Sequence, residues 1–157
     1  MPKIKYIATD GKDLELITPL REKIRQYHVA RSTFFKERIT EKSIEEMNKQ
    51  LLSKAVGGIL LDLVRDVETG RLVGYCLTSI NEERQGEIGS IYLEPEYRRH
   101  RIGYRLMERA LRWMDRQDVK RKFLGIGAGN EEVVGFYRRF NFEVRSIIME
   151  QVEAKDK

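Results

Sequence analysis

Apolar residues in the first half of the chain recur at spacings of three and four, the period of an amphipathic helix. The pattern predicts one helix over about residues 12–29 and a second over about 43–55. Pro19 falls inside the first, and because proline is tolerated best in a first turn, this helix should begin late or kink there. Ser43 followed by Glu46 is a capping-box pattern, typical of a helix start.

Shorter apolar or alternating stretches, each bounded by turn residues, predict six strands. These strands cover residues 4–8, 59–64, 72–80, 87–93, 123–127 and 142–150. Two further helices, over about residues 101–117 and from Asn130, alternate with the last strands, and the tail from Ala154 is expected to fray. The central strands can pair as hairpins, whereas the later strand–helix–strand units favour parallel crossovers. The prediction is one domain over residues 1–157, of α/β or α+β class with a mixed sheet.

Composition places the chain among globular proteins with a modest positive charge. Hydrophobic residues make up 41% and charged residues 35%, and no window approaches the ~18 apolar residues of a membrane-spanning helix. Residues 1–5 lack the apolar core of a secretion signal, so a cytoplasmic protein is expected. Cys76 is the only cysteine, so no disulfide within the chain is expected, and no metal site is expected either. The net charge of +5 favours anionic ligands.

The first candidate site lies within residues 87–106, where a predicted strand runs into a basic turn and a long helix opens at once. The first N–H groups of a helix have no partner within it, and the helix dipole adds positive charge, so such a start can bind a phosphate. Arg98, Arg99 and Arg101 raise the local potential. Gly103 lets a ligand approach the backbone. The alternative is an ordinary basic helix start without a ligand.

A second pattern lies over residues 130–142. Asn130 precedes a helix whose first turn is acidic, which is favourable at a helix N-terminus. Tyr137 follows Phe136 in that helix. Tyr137 is either a residue of the site or a core aromatic residue packed on the apolar face.

Together, the two stretches resemble the GNAT superfamily of N-acetyltransferases. Residues 98–103 read Arg-Arg-His-Arg-Ile-Gly, similar to the family pattern of Gln or Arg, two variable residues, Gly, one variable residue, then Gly or Ala. Residues 91–95 match the family strand that pairs with pantetheine. Asn130, the Phe136–Tyr137 pair and Phe142 fall in the order and spacing of the family's second motif.

The resemblance implies a fold and a set of cofactor-binding residues. The fold is a mixed, mostly antiparallel sheet of about six or seven strands flanked by about four helices. Residues 73–149 form the acetyl-CoA-binding core and residues 12–55 the acceptor side, with no metal. The implied cofactor-binding residues are Ile91, Tyr92, Leu93, Arg98, Arg99, His100, Arg101, Ile102, Gly103, Tyr104, Asn130 and Tyr137.

The resemblance also implies catalytic roles. Tyr137 is the general acid that protonates the leaving thiolate, a role that a phenol with a pKa near 10 can fill. Some family branches use a glutamate late in the fifth strand to deprotonate the amine, but Gly125 stands there. Glu87 in the fourth strand is the nearest candidate base, and it is equally a solvent-facing charge at a strand end. Backbone carbonyls with a water chain are a further alternative.

Two positions depart from the family pattern. Arg101 stands where the family has its first glycine. A positive φ there would strain an arginine by about 1 kcal/mol, whereas a helical φ would cost nothing. Asn141 replaces another glycine, and asparagine also enters the left-handed region that ends helices.

The resemblance implies transfer of the acetyl group from acetyl-CoA to a primary amine by direct attack. Two alternative functions remain open. One is a CoA-binding regulatory domain without turnover. The other is a nucleic-acid or ribosome-binding module built on an arginine stripe along one helix, although a solvated face explains the stripe as well and a nucleic-acid partner is not expected. The stripe comprises Arg101, Arg105, Arg109, Arg112 and Arg116.

The acceptor and the oligomeric state stay open at the sequence level. A small molecule and a protein amine both fit, and homodimer formation is compatible with the family. His28, Arg31 and the pair Phe34–Phe35 could line an acceptor pocket, or could have core or surface roles.

Overall fold

Five strands lie in chain order across one sheet in the computed structural model, which describes residues 1–153. The strands are β1 Ile4–Thr9, β2 Gly58–Asp66, β3 Leu72–Ile80, β4 Gln85–Leu93 and β5 Arg121–Phe123. Strands β1 to β4 pair antiparallel, while β5 runs parallel to β4. The predicted mixed, mostly antiparallel sheet is therefore confirmed, with β3 at the predicted bounds.

Five α-helices connect these strands in the described part of the chain, one more than predicted because the short α2 was missed. They are α1 Thr18–Arg31, α2 Lys36–Thr40, α3 Ile44–Lys54, α4 Ile102–Arg116 and α5 Val134–Arg138. Helix α1 follows a 3₁₀ turn over Gly11–Ile17, so Pro19 occupies its first turn as predicted. At α3, the Ser43 hydroxyl accepts from the Glu46 N–H at 3.1 Å and the Glu46 carboxylate accepts from the Ser43 N–H at 3.4 Å. The predicted capping box is therefore present.

Apolar side chains cover both faces of the sheet. Helix α4 lies on one face, where its buried stripe packs against the central strands. The members of that stripe are Ile102, Leu106, Met107, Ala110 and Met114. On the opposite face, Leu14, Ile17 and Leu20 pack over Tyr75 and Leu77 of β3. Strand β4 therefore lies between α4 on one side and the α1 region on the other.

An ion pair ties α4 to the sheet. The Arg109 Nε donates to Asp62 Oδ2 at 2.5 Å and its Nη2 donates to Asp62 Oδ1 at 3.0 Å. The Asp62 side chain is 1% exposed and the Arg109 side chain 34%. Arg109 is a member of the arginine stripe, so this arginine of the stripe has a structural role in holding α4 on the sheet.

Two predicted strand segments differ from the structure. The strand predicted at residues 123–127 is the three-residue β5, Arg121–Phe123, because Gly125 and Gly127 bring no side chains to pack beyond it. The strand predicted at 142–150 is wrong, since those residues form no strand and most of their apolar side chains are exposed. An apolar pattern does not form a strand where no neighbour supplies backbone hydrogen bonds. The described sheet thus has five strands rather than six or seven.

None of the helices within residues 1–153 is both long and apolar enough to cross a membrane. The predicted fraying from Ala154 lies outside the described residues. Within residues 1–153 there is also no cluster of three or more His, Cys, Asp or Glu side chains that could hold a metal ion.

Candidate active site

Strands β4 and β5, which form the parallel pair, separate after Glu87 of β4. Strand β5 pairs only with Gln85, Gly86 and Glu87, so within the described chain the later β4 residues have no strand partner on that edge. A cavity of about 510 Å³ lies next to the end of β4. Its other walls come from α1, the start of α4 and residues 130–139.

Most residues predicted to bind the cofactor line this cavity. They are Ile91, Tyr92, Leu93, Arg98, Arg99, Arg101, Ile102, Gly103, Tyr104, Asn130 and Tyr137. The other two predicted site residues, His100 and Glu87, do not line it. Helix α1 adds Ile24, Tyr27 and His28. Sequence reasoning named His28 as a candidate, but the helical spacing of Ile24 and Tyr27 indicated only an apolar helix face.

The turn before α4 contains two arginines in the left-handed conformation. The φ angle is 66° at Arg99 and 61° at Arg101. Arg101 therefore carries the strain of about 1 kcal/mol that a positive φ implies for a residue with a side chain. Its guanidinium lies 4.5 Å from the centre of the Tyr104 ring, an attractive cation–π contact. The Arg98 Nε donates to the Leu93 carbonyl at 2.8 Å, which holds the turn against the end of β4.

The start of α4 leaves backbone N–H groups available. The Arg105 N–H donates to the Arg101 carbonyl at 3.0 Å, and no side chain caps the helix. The N–H groups of residues 102–104 therefore have no partner within the helix, and the helix dipole makes this end positive. A Cβ at Gly103 would meet only the Phe136 ring, at 3.9 Å. An open backbone with free donors at a helix start fits a bound phosphate.

Tyr137 lies on α5 among other aromatic rings. The ring centres of Phe136 and Phe142 are 5.2 and 6.4 Å from that of Tyr137. Burial raises the pKa of Tyr137 to about 12, with a smaller contribution from the Cys76 thiol. The hydroxyl has no protein partner within residues 1–153 and is not fully buried, so it is open to the cavity that the residue lines. The phenol stays protonated at neutral pH and can donate a proton.

The chain leaves α5 through a left-handed residue. Asn141 has a φ of 67°, as its place in the family pattern predicts. The Phe142 N–H then donates to the Tyr137 carbonyl at 3.3 Å. The reversal returns Phe142 to the Tyr137 ring.

Helix α1 contacts the segment that begins at Asn130. The Tyr27 hydroxyl lies 3.3 Å from both Asn130 Oδ1 and Glu132 Oε1. The Arg31 guanidinium pairs with Glu132 at 2.8 Å and lies 4.5 Å from the centre of the Tyr27 ring. Helix α1, which is predicted to lie on the acceptor side, and the predicted CoA-contacting asparagine are thus joined directly.

Two titratable groups in this region have shifted pKa values. Burial lowers the pKa of His28, so its imidazole is neutral at pH 7. Glu87 lies on β4 opposite Ser79 of β3 and is half-buried. Burial raises the pKa of Glu87, and the positive charge of Lys54 partly offsets that rise. Burial therefore reduces the solvation of Glu87, while its side chain does not line the cavity.

Comparisons with known proteins give the same fold and family. The model of the acetyltransferase (GNAT) family matches residues 23–142. A solved protein of Pyrococcus furiosus, described as an acetyl transferase, has a TM-score of 0.72 and 23% identity, covering 94% of this chain and 99% of its own. The PaiA N-acetyltransferase of Thermoplasma acidophilum, solved with coenzyme A, has a TM-score of 0.69 and 23% identity, covering 93% of both chains.

A curated sequence relative adds a more limited match. An uncharacterized N-acetyltransferase of Methanocaldococcus jannaschii is 24% identical over 102 residues, which are 64% of this chain but 45% of the relative. The chain thus matches less than half the length of that relative. Because the family model covers well over half of this chain, the protein belongs to the acetyltransferase (GNAT) family.

Proposed function

We propose that this protein transfers the acetyl group of acetyl-CoA to a primary amine by direct attack in a ternary complex. One observation carries the proposal: the uncapped start of α4, the free edge of β4 and Tyr137 all border one cavity. The helix start can bind the CoA pyrophosphate, the free strand edge can hydrogen-bond the pantetheine arm, and Tyr137 can protonate the leaving thiolate. Family membership supports the same reaction.

The cavity supports the cofactor-binding roles that the family resemblance implies. The amides of residues 99–104 would hold the pyrophosphate, with Arg98, Arg99 and Arg101 adding positive charge. His100 would take part through its backbone, since its side chain does not line the cavity. Ile91 and Leu93 would hydrogen-bond the pantetheine arm along the β4 edge that β5 leaves free.

Two groups assist the acyl transfer itself. The Leu93 amide polarises the acetyl carbonyl, which stabilises negative charge on its oxygen as the amine attacks. Tyr137 then donates its proton to the departing thiolate. Asn130 contacts the cofactor from the segment that Tyr27 anchors.

The amine must lose a proton before or during the attack. Glu87 is the base that the sequence suggests, and it would act through water because its side chain does not line the cavity. His28 is the second candidate, because a neutral imidazole lines the cavity wall. Glu87→Gln and His28→Gln separate the two. Loss of the true base removes the inflection of that base from the pH profile of kcat/KM and leaves the inflection of the amine substrate, whereas the other variant keeps both.

The experiment that tests the proposed function compares two substitutions at Gly103. Gly103→Arg fills the open space at the start of α4, so acetyl-CoA binding measured by calorimetry should be lost. Gly103→Ala adds one methyl group that meets only the Phe136 ring, so this matched control should bind and melt like the parent.

A screen of amines for release of the free CoA thiol then tests turnover. Acetyl-CoA binding by the parent and by Gly103→Ala, with thiol release that depends on an amine, supports the proposed reaction. An intact, folded protein that binds no acetyl-CoA would overturn it. Binding without turnover for any amine would favour the regulatory CoA-binding domain.

A further inference from the structure

Arg21 on α1 is a buried cation that the protein itself does not neutralise. The residue is 7% exposed. Its Nη1 donates to the side-chain oxygen of Asn48 on α3. Within residues 1–153, no carboxylate lies within 4.0 Å of its guanidinium. A buried charge held only by a neutral amide lacks the compensation that buried ions usually have.

Arg109, another arginine that packs against the sheet, differs from Arg21 because it has a carboxylate partner. Arg109 forms two hydrogen bonds with the Asp62 carboxylate, and those bonds raise its pKa. Burial instead lowers the pKa of Arg21. An anion beside Arg21 would supply what Asp62 supplies to Arg109.

The unsatisfied side of Arg21 is accessible. Its Nε and Nη2 atoms have no protein acceptor in the described chain, yet neither is a fully buried unpaired atom, so both reach solvent-accessible space. Two parallel N–H donors in this arrangement match a carboxylate or a phosphate.

The position of Arg21 relates it to the proposed acetyl-transfer site. Arg21, Ile24 and His28 have the i, i+3, i+7 spacing of one helix face, and the latter two line the cavity. Tyr75 of β3 lies close enough to Arg21 to offset part of the lowering of its pKa. The Tyr75 hydroxyl lies 2.6 Å from the Ser90 hydroxyl, and Ser90 directly precedes Ile91 on β4. Whichever hydroxyl donates in that pair, the other keeps a hydrogen for a further acceptor.

We propose that Arg21 binds an anionic group of the acceptor, a carboxylate or a phosphate, so that the acceptor is an amine that also carries negative charge. The inference rests on the proposed acetyl transfer. The anion lies on the α1 side of β4, apart from the basic turn at the start of α4 that holds the CoA pyrophosphate. Arg21 thereby selects and orients the acceptor.

Two variants test the anion site without removing the proposed catalytic groups. Arg21→Met keeps the length of the side chain and removes the charge, but it also leaves the buried Asn48 side chain without its donor, so its response to anions is measured against its own anion-free melting temperature. Asn48→Asp places a carboxylate on the Nη1 side of Arg21, so it should raise the melting temperature and neutralise the charge that attracts an added anion. Both should bind CoA like the parent.

The first readout is melting temperature with CoA present at saturation, which keeps added anions out of the pyrophosphate site. Sodium acetate and inorganic phosphate are titrated against sodium chloride at matched ionic strength. The parent should gain several degrees with acetate or phosphate, and the stronger of the two identifies the group. Arg21→Met and Asn48→Asp should gain nothing. An equal response of the parent and both variants, or no response of the parent, would overturn the proposal.

The second readout is kcat/KM for matched amines. β-Alanine is compared with its amide, and phosphoethanolamine with ethanolamine. The parent should prefer one charged member over its neutral partner by about tenfold or more, and both variants should lose that preference. Equal use of charged and neutral amines would contradict the anion site alone. Absence of thiol release with every amine, beside an Arg21-dependent melting response, would contradict only the acetyl transfer.

Discussion

At the scale of single residues, the raised pKa of Tyr137 determines how the proposed reaction should depend on pH. A general acid must be protonated to act, and burial, which raises the pKa of this phenol to about 12, keeps it protonated well above neutral pH. Its deprotonation therefore does not reduce the rate between pH 7 and 9. Any loss of activity over that range must come from another group.

Tyr137→Phe removes the proton donor and retains the ring. We expect kcat for thiol release to fall by about 10²–10⁴-fold, while the Kd for CoA changes little because the contacts with Phe136 and Phe142 persist. Steady-state kinetics and calorimetry on the same preparation provide both numbers. A variant with the parent kcat would show that Tyr137 is a packing residue only.

Arg101 allows the left-handed strain in the turn before α4 to be measured. Glycine has no Cβ to clash at a φ of 61°, whereas alanine keeps the clash. Arg101→Gly should therefore be more stable than Arg101→Ala by about 1 kcal/mol, although both lose the contact with Tyr104. Urea unfolding measures the difference. Equal stabilities would mean that the turn relaxes away from positive φ when the arginine is removed.

At the scale of elements, the Asp62–Arg109 pair fixes α4 against the sheet, and the basic turn over residues 98–101 leads directly into α4. Asp62→Ala leaves Arg109 without its carboxylate partner and should lower the free energy of unfolding by about 3 kcal/mol, since Arg109 can reach water. Asp62→Leu combined with Arg109→Met should recover most of that loss. Denaturant unfolding of the single and double variants tests this. A double variant as unstable as Asp62→Ala would show that the charges themselves are required.

The same scale shows why some elements could be predicted and others could not. The buried stripe of α4 and the capping box of α3 are local signals, so the sequence predicted both helices. A strand at residues 142–150 depends instead on a neighbour, and β5, with only three residues, gives little edge to pair with. The apolar spacing over residues 12–29, which includes Ile24 and Tyr27, likewise predicted a helix but could not show that one face of it lines a cavity.

At the scale of the whole molecule, the candidate site is assembled from three separate parts of the chain. The β4–α4 turn and the segment around Asn130 carried recognisable patterns in the sequence. The contribution of α1 did not, because it depends on how that helix packs across the sheet. Tyr27 and Arg31 join α1 to Asn130 and Glu132, so the proposed acceptor side and the proposed cofactor side are in direct contact.

That contact predicts that cofactor binding slows amide hydrogen exchange in α1. Acetyl-CoA held by Asn130 should fix the Tyr27 contact, so amide hydrogen exchange at residues 27–31 should slow by about fivefold or more on saturation. Tyr27→Phe removes the hydroxyl that makes the contact. In this variant, exchange at residues 98–105 should still slow, but exchange at 27–31 should not.

Strand β1, Ile4–Thr9, lies at the far edge of the sheet and is an internal control that should not respond in either protein. Slowing at residues 27–31 that persists in Tyr27→Phe would show that the two sides communicate by another route. No slowing there in the parent would show that the acceptor side is set before the cofactor binds. In that case the order of substrate addition would not depend on the Tyr27 contact, because α1 would present the same face to the acceptor with or without CoA.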